Sequence, residues 1–465
     1  MRFSTFAGLA TTLLLGSSDS SHAGQSTPYA ALVPVITSKM PALPNPPGTL
    51  EIPDMQPFFD YFAWQEMIAL CWPSDPEGGR GRPQGPDKPG TFLSANTGKG
   101  GDAPVVWYTY PVAEELFRPQ GEAPKPWTGS FKAPTLHALH AFQKPLALNP
   151  ALGGDPTDFN QAFGGPLIDQ HGNYTMYEEY FNKAEYDAVA ANKWYLRANL
   201  KKAVGNTGIT MPEGAVELKA SWRPMVEGDD PTRYYTVEAR VPDASGVGFK
   251  TVRLGLVGLH IAVKSSSAPQ WLWATFEQVD NVTATPPVKA SYNSGALPPS
   301  KRGYDYEPKQ VTSLPPPSQP PVEVNRVTPI LTQPPGYSTA DLNKAFQAML
   351  KGTVWSRYQL IVCQWPSAPG PTPYNPGFDP ATYNPKLAGV PVPRFVANTT
   401  METYFQGNDP DVSCECNTSN SCMQCHYHAA ALGTDYAWAV FNRAYPPPPA
   451  AAAAAHPAAK TPKEK

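Results

Sequence analysis

The chain has 465 residues and a formal net charge of −3, so its length allows a large core. A charge so close to neutral does not suggest a polyanion partner such as nucleic acid. The 57 prolines and 36 glycines predict many stiff loops, while an aromatic share of 11% excludes a disordered chain because aromatic side chains supply buried area.

The N-terminus has the pattern of a secretory signal peptide. Arg2 gives a positive start, the apolar run 3–15 is too short to span a bilayer, and Ser21 and Ala23 occupy the small-residue positions before a cleavage site. Later in the chain, no run approaches the ~20 apolar residues of a membrane helix. We therefore expect residues 1–23 to be removed and the mature protein to be exported to the periplasm without a membrane span.

Apolar periodicity predicts both helices and strands. Helical spacing predicts three helices, at 57–70, 176–195 and 338–362. Ser338, followed by Asp341 three residues later, is typical of a helix N-terminus. Alternation and β-branched runs predict five strands, at 105–110, 216–220, 234–238, 251–264 and 271–279.

These elements predict an α+β fold in which flanking helices cover an antiparallel sheet, with a loop- and proline-rich chain around it. The strands 251–264 and 271–279 are expected to form a central hairpin. The predicted organisation is an α+β domain at 24–310, a proline-rich linker at 311–337, a helical region at 338–445 and a disordered Pro/Ala tail at 446–465.

The chemistry-bearing motif is Cys-x-x-Cys-His at 422–426. Cys422 and Cys425 are spaced by about one helical turn, so both thiols can add to the vinyl groups of one porphyrin. His426 would then bind the iron as the proximal axial ligand. The motif predicts covalently attached haem c in the 338–445 region, packed near the C-terminus.

The cysteines and the histidine next to this motif also allow a metal site or disulfides in place of haem. Cys414, Cys416 and His428 extend the motif to four thiols and two imidazoles, a set that could hold a structural zinc. An oxidising compartment disfavours such a thiolate cage. Cys414 and Cys416 could instead form disulfides with Cys71 and Cys363, or all four could remain buried thiols.

The distal side of the haem must come from upstream sequence or stay open. After Met423 the chain has no methionine, and the only histidines after His426 are His428 and His456. His428 is too close to the proximal ligand to reach the opposite face. The candidates for distal ligand are therefore His260 and Met401.

His260 lies within the predicted strand 251–264. Alternation places it on the same side as Val252, Leu254 and Leu256, which is expected to face the core. A histidine there is commonly a satisfied core residue, and ligation is the functional alternative. His137 and His140, in a loop-rich stretch, also remain candidates for the distal side.

Two classes of function follow from a haem in this setting. The first is an electron-transfer cytochrome with a six-coordinate iron. The second is a haem enzyme of peroxidase or oxidase type with an open distal side. A structural zinc or disulfide site is the third reading. The sequence identifies neither a redox partner protein nor a small-molecule substrate.

Several phrases of the chain are similar to one family. They are DYFAWQ at 60–65, GPLID at 165–169, GLH at 258–260, NTTMET at 398–403 and SCMQCH at 421–426. Together they resemble a family of bacterial exported proteins called cytochrome c family proteins, which have no assigned reaction. The resemblance spans most of residues 55–430 and implies haem binding in the periplasm, without implying a substrate.

Overall fold

The computed structural model describes eleven stretches of the chain. They are residues 28–75, 77–99, 103–127, 161–162, 165–205, 207–242, 249–296, 302–312, 316–368, 391–406 and 421–446. The predicted signal peptide at 1–23 lies outside them, as do Cys414, Cys416 and all but the first residue of the predicted tail at 446–465. Within these stretches, no helix is both long and apolar enough to cross a membrane.

Helices and strands alternate irregularly along the chain. The α-helices are α1 (Gln56–Leu70), α2 (Pro89–Leu93), α3 (Ala113–Leu116), α4 (Lys183–Ala191), α5 (Arg197–Val204), α6 (Thr339–Met349), α7 (Cys422–Ala431) and α8 (Trp438–Arg443). The strands are β1 (Met176–Phe181), β2 (Val216–Pro224), β3 (Thr236–Pro242), β4 (Phe249–Val263), β5 (Leu272–Gln278), β6 (Tyr358–Pro366) and β7 (Pro391–Val392).

All seven strands form one antiparallel sheet. The order is β1-β2-β4-β5-β6-β7, and β3 pairs with β4 beside this path. The 15-residue β4 is the longest strand and pairs with β2, β3 and β5. The predicted α+β class is confirmed, and so is the hairpin that β4 and β5 form.

The predicted helix at 176–195 is wrong in its first third. Residues Met176–Phe181 form β1, whose alternate side chains Met176 and Tyr180 enter the apolar core. Pairing with β2 outweighs the helical spacing in this segment. The helix α4 begins only after Asn182, whose side chain accepts a hydrogen bond from the Glu185 amide at 3.1 Å and so caps the helix.

Two further predictions are corrected. Residues 105–110 form no strand. They hold a 3₁₀ turn at Trp107–Thr109, and Val105 makes a single bridge. The predicted helix at 338–362 ends at Met349, and the remainder becomes a 3₁₀ turn followed by β6. Its predicted start is confirmed, because the Ser338 hydroxyl accepts from the Asp341 amide at 3.2 Å.

One sheet takes strands from both sides of the proline-rich segment 311–337. β6 follows that segment and pairs along its length with β5, which precedes it. The region predicted as helical at 338–445 therefore also supplies a strand to the sheet. The predicted domain boundaries themselves remain predictions.

One face of the sheet is apolar and is covered by α1 and α6. Trp64 of α1 stacks on Phe346 of α6 with ring centroids 5.0 Å apart, and its edge meets Phe276 of β5 at 5.1 Å. Its indole nitrogen donates to the Asn343 side chain at 2.9 Å. Truncating a buried tryptophan of this kind typically lowers the free energy of unfolding by about 3–5 kcal/mol. Trp64 therefore contributes strongly to the packing of α1 and α6 on the sheet.

The opposite face of the sheet, called the polar face below, mixes polar and apolar side chains, and a β-bulge in β4 shapes it. Ser221 pairs with Gly258, whereas the next residue of β2, Trp222, pairs with Leu256. Val257 is therefore the extra residue on β4, and the alternation of side chains along the strand is reset there.

The bulge corrects the predicted orientation of His260. Before it, Leu254 and Leu256 lie in the apolar cluster; after it, Leu259 and Ile261 do so. His260 consequently points to the polar face rather than into the core that Leu254 and Leu256 help to form. Alternation counted from the sequence failed here because it assumed an uninterrupted strand.

The segment 398–402 packs onto this polar face at Gly258. The Thr400 hydroxyl is 2.7 Å from the Ser221 hydroxyl, and the Asn398 side-chain amide donates to Thr275 Oγ1 at 2.9 Å. A Cβ at Gly258 would come within 2.4 Å of Thr400 Oγ1 and 2.6 Å of Ser221 Oγ. Close approach of the segment therefore requires glycine at this position.

We predict that Gly258→Ala lowers the free energy of unfolding by about 1–3 kcal/mol, because the added methyl group displaces the Thr400 contact. Urea denaturation of the full-length protein measures the change. Gly48→Ala is the matched control, since a Cβ there meets no atom within 4 Å. Equal stability of the two variants would contradict the tight packing at Gly258.

Candidate functional site

The helix α7 carries the predicted motif. Cys422 and Cys425 lie three residues apart on it, which places their thiols on one side of the helix. Both side chains are half-buried. Of the four cysteines that the structure describes, which also include Cys71 and Cys363, none is bonded to another. Within the described chain, neither motif thiol is therefore held in a disulfide.

Both thiols are held in their protonated form. Burial, and next the nearby carboxylate of Glu402, raise the pKa of Cys422 well above its ordinary value. The same two effects raise the pKa of Cys425 to about 11. The folded site therefore does not present reactive thiolates.

His426 is fixed in one tautomer by a backbone carbonyl. Its Nδ1 lies 2.6 Å from the Tyr436 oxygen, which can only accept, so Nδ1 carries the proton and donates. The other ring nitrogen, Nε2, then carries a free lone pair. Burial lowers the pKa of His426 to about 4, so the ring is neutral at neutral pH. A neutral imidazole with an unprotonated nitrogen is the form that binds a metal ion.

The carbonyl of Tyr436 is presented by a turn with two left-handed residues. Asp435 has φ +49° and Tyr436 has φ +69°, values that non-glycine residues rarely adopt. A buried ion pair holds the turn, with Lys264 Nζ 2.8 Å from Asp435 Oδ1. The Met211 amide donates to the other Asp435 oxygen at 2.6 Å. The position of the His426 ring thus depends on a charge pair on the far side of the turn.

The helix α7 docks on the polar face of the sheet through β5 and β6. The ring of Trp273 lies 4.3 Å from the His426 ring, centroid to centroid. The Met423 amide donates to Gln364 Oε1 at 2.8 Å. These two contacts orient the motif against the sheet.

A row of polar side chains crosses the sheet beside the motif. Strand pairing aligns Glu179 of β1 with Lys219 of β2, then Lys219 with His260 of β4, and His260 with Thr275 of β5. Arg443 of α8 binds the Glu179 carboxylate at 2.9 Å. The row is electrostatically linked to the motif, because the charges of Lys219 and His260 both help to lower the pKa of His426.

His260 faces Glu402 across the site. Its Nε2 is 3.5 Å from Glu402 Oε2, and within the described chain this buried nitrogen has no hydrogen-bond partner. Burial acts to raise the pKa of Glu402, but His260 and the Asn398 amide outweigh it, and the net pKa is lowered. Glu402 is consequently a carboxylate at neutral pH, close to the motif.

Met401, the other distal candidate, is placed elsewhere. It is 1% exposed and packs in a cluster with Tyr177, Tyr404 and Val257. Among the described residues, that cluster contains none from α7. The structure therefore brings His260, and not Met401, together with the motif. His137 and His140 lie outside the described residues.

The residues present fit a covalently bound haem. Two unbonded thiols one turn apart match two vinyl groups, and the free Nε2 of His426 matches an iron ligand. For the zinc reading, no group of three or more His, Cys, Asp or Glu side chains gathers to hold a metal ion in the described part of the chain. Cys414 and Cys416, which that reading requires, lie outside this part, as does the side chain of His428.

Sequence reasoning missed several residues of this site. Glu402 was visible in the NTTMET phrase but carried no predicted role, and Trp273 was assigned only to a strand. Lys219 and Glu179 join the site through strand register, which the sequence did not provide. Tyr436 acts through its backbone, so its side-chain identity gave no signal.

Comparison with known proteins adds no relative. No family model, no curated protein and no solved structure matches this chain.

A buried acidic group adjoins the row at Glu179. Glu185 of α4 is fully buried, and within the described residues both of its carboxylate oxygens have no hydrogen-bond partner. Burial, and next the charge of Glu217, raise its pKa well above the ordinary range. Burial and the charge of Glu179 likewise raise the pKa of Glu217 to about 8. This group holds protons at neutral pH.

We predict that Glu217→Gln is more stable than the wild type at pH 8 and nearly equal at pH 4. A carboxyl whose pKa rises on folding, from about 4.3, binds its proton more tightly when folded. Its contribution to the unfolding free energy is therefore lost as pH rises towards 8. Urea midpoints at several pH values measure the difference, with the exposed Glu227→Gln as control. A pH-independent difference between wild type and Glu217→Gln would contradict the buried proton.

Proposed function

We propose that this chain is a monohaem c-type cytochrome that transfers electrons. The observation that carries the proposal is the 2.6 Å contact from His426 Nδ1 to the Tyr436 carbonyl. It leaves Nε2 unprotonated, on a ring that directly follows two unbonded thiols.

In this proposal Cys422 and Cys425 hold the haem through thioether bonds and His426 binds its iron. When bound, the haem supplies a one-electron Fe(III)/Fe(II) couple. The chain's residues hold and orient the group: Trp273 supports the imidazole ring, and Gln364 fixes the start of α7. Glu402 supplies a negative charge beside the site.

The proposed setting is the periplasm, after export through residues 1–23. The donor and acceptor are redox partner proteins that the chain does not identify. N-terminal sequencing of the mature protein tests the export step, with a start near Gly24 expected.

We predict that Cys422→Ser combined with Cys425→Ser abolishes covalent haem, because both thioether sulfurs are lost. Intact mass spectrometry and haem staining of a denaturing gel provide the measurement. Cys71→Ala with Cys363→Ala is the matched control: both thiols lie in the apolar core, so this variant should retain the haem mass even if it is less stable. Wild-type protein without an added porphyrin mass would refute the proposal.

We predict that Glu402→Gln raises the midpoint reduction potential by tens of millivolts. A nearby carboxylate stabilises the more positive ferric iron, with an interaction on the order of 1 kcal/mol. Glutamine keeps an oxygen to accept from the Asn398 amide, which donates to Glu402 at 2.8 Å. Spectroelectrochemical titration measures the shift.

The control for this charge effect is Glu51→Gln. Glu51 is exposed and precedes α1, which covers the opposite face of the sheet. The Glu51→Gln substitution removes one negative charge, as Glu402→Gln does, without changing the surroundings of the motif. Equal shifts in the two variants would mean that Glu402 has no special relation to the haem.

A further inference from the structure

The imidazole of His260, which faces Glu402, has no role in the proposed function. Buried side-chain nitrogens in folded proteins nearly always have a hydrogen-bond partner. The Nε2 of His260 is buried and, in the described chain, has none, although Glu402 Oε2 is only 3.5 Å away. At 3.5 Å this contact is longer than a normal hydrogen bond. A buried imidazole nitrogen left without a hydrogen bond calls for another partner.

We propose that His260 is the second axial ligand of the haem iron, opposite His426. This inference rests on the proposed function, because it assigns a residue to the same haem. It makes the site a bis-histidine site with one ligand on a helix and the other on a strand.

Three observations on strand β4 support the assignment. The bulge at Val257 turns His260 from the apolar core to the face on which α7 docks. His260 pairs with Thr275 of β5, two residues from Trp273, whose ring lies 4.3 Å from the His426 ring, centroid to centroid. Strand pairing on both sides, with Lys219 and Thr275, fixes the backbone of His260, and its Nε2 lies 3.5 Å from Glu402 Oε2.

Neighbouring donors are committed to other contacts. Lys219 Nζ donates to Gln161 at 2.9 Å and lies over the Tyr177 ring. Met401 is buried in the separate cluster described above. His171 sits in an exposed turn that is held by Asp169. These contacts leave His260 as the nitrogen donor that the structure presents to the motif.

The test uses full-length, haem-loaded protein and reads spin state rather than activity. The ferric wild type should give a low-spin electron paramagnetic resonance spectrum, and the ferrous form should resist carbon monoxide. His260→Ala should become high-spin and bind carbon monoxide, and added imidazole should restore the low-spin spectrum. His171→Ala is the matched histidine control, and Met401→Leu tests the alternative ligand; both should keep the wild-type spectrum.

A second variant distinguishes loss of the iron ligand from loss of the fold. His260→Met keeps an iron ligand of different chemistry, so it should stay low-spin and raise the reduction potential. A high-spin wild type that binds carbon monoxide at once, or a low-spin His260→Ala, would overturn the assignment and favour an open, enzyme-like distal side. These results differ from failure of the proposed function, which would appear as the absence of any covalent haem mass.

Discussion

The face of the sheet on which His260 lies depends on one extra residue in a strand. Val257 interrupts the pairing of β4 with β2, and the side chains beyond it exchange faces. Without the bulge, His260 would enter the apolar core beside α1, and Leu259 would meet the docked helix. The bulge thereby keeps the leucines of β4 on the face that α1 and α6 cover and places His260 on the face on which α7 docks.

The polar face is held to α7 and to the segment 398–402 by hydrogen bonds as well as by apolar contacts. Asn398 and Thr400 bind strand residues of β5 and β2, Gln364 receives the start of α7, and the Lys264–Asp435 pair supports the turn beneath His426. Buried polar networks of this kind specify one arrangement, because each unsatisfied group costs free energy. That rigidity suits a redox site, in which little should move when the electron arrives.

Much of the fold could be predicted from the sequence, and the failures have physical reasons. The β4–β5 hairpin, α1 and the Ser338 cap followed from periodicity and capping chemistry, which are local. Residues 176–181 and 358–362 were misassigned because pairing with strands distant in sequence decides their conformation. The motif itself was visible, whereas Glu402, Lys219 and Trp273 reach it only through strand register and docking.

The half-buried, protonated thiols of Cys422 and Cys425 bear on how the molecule is made. Thioether formation requires a sulfur that can approach and attack a vinyl group, and burial opposes both approach and ionisation. If haem is attached, it must be attached while this segment is still open, before α7 closes onto the sheet. A chain that folded first would be a trapped apoprotein, so biogenesis would depend on delaying the collapse of its own C-terminal region.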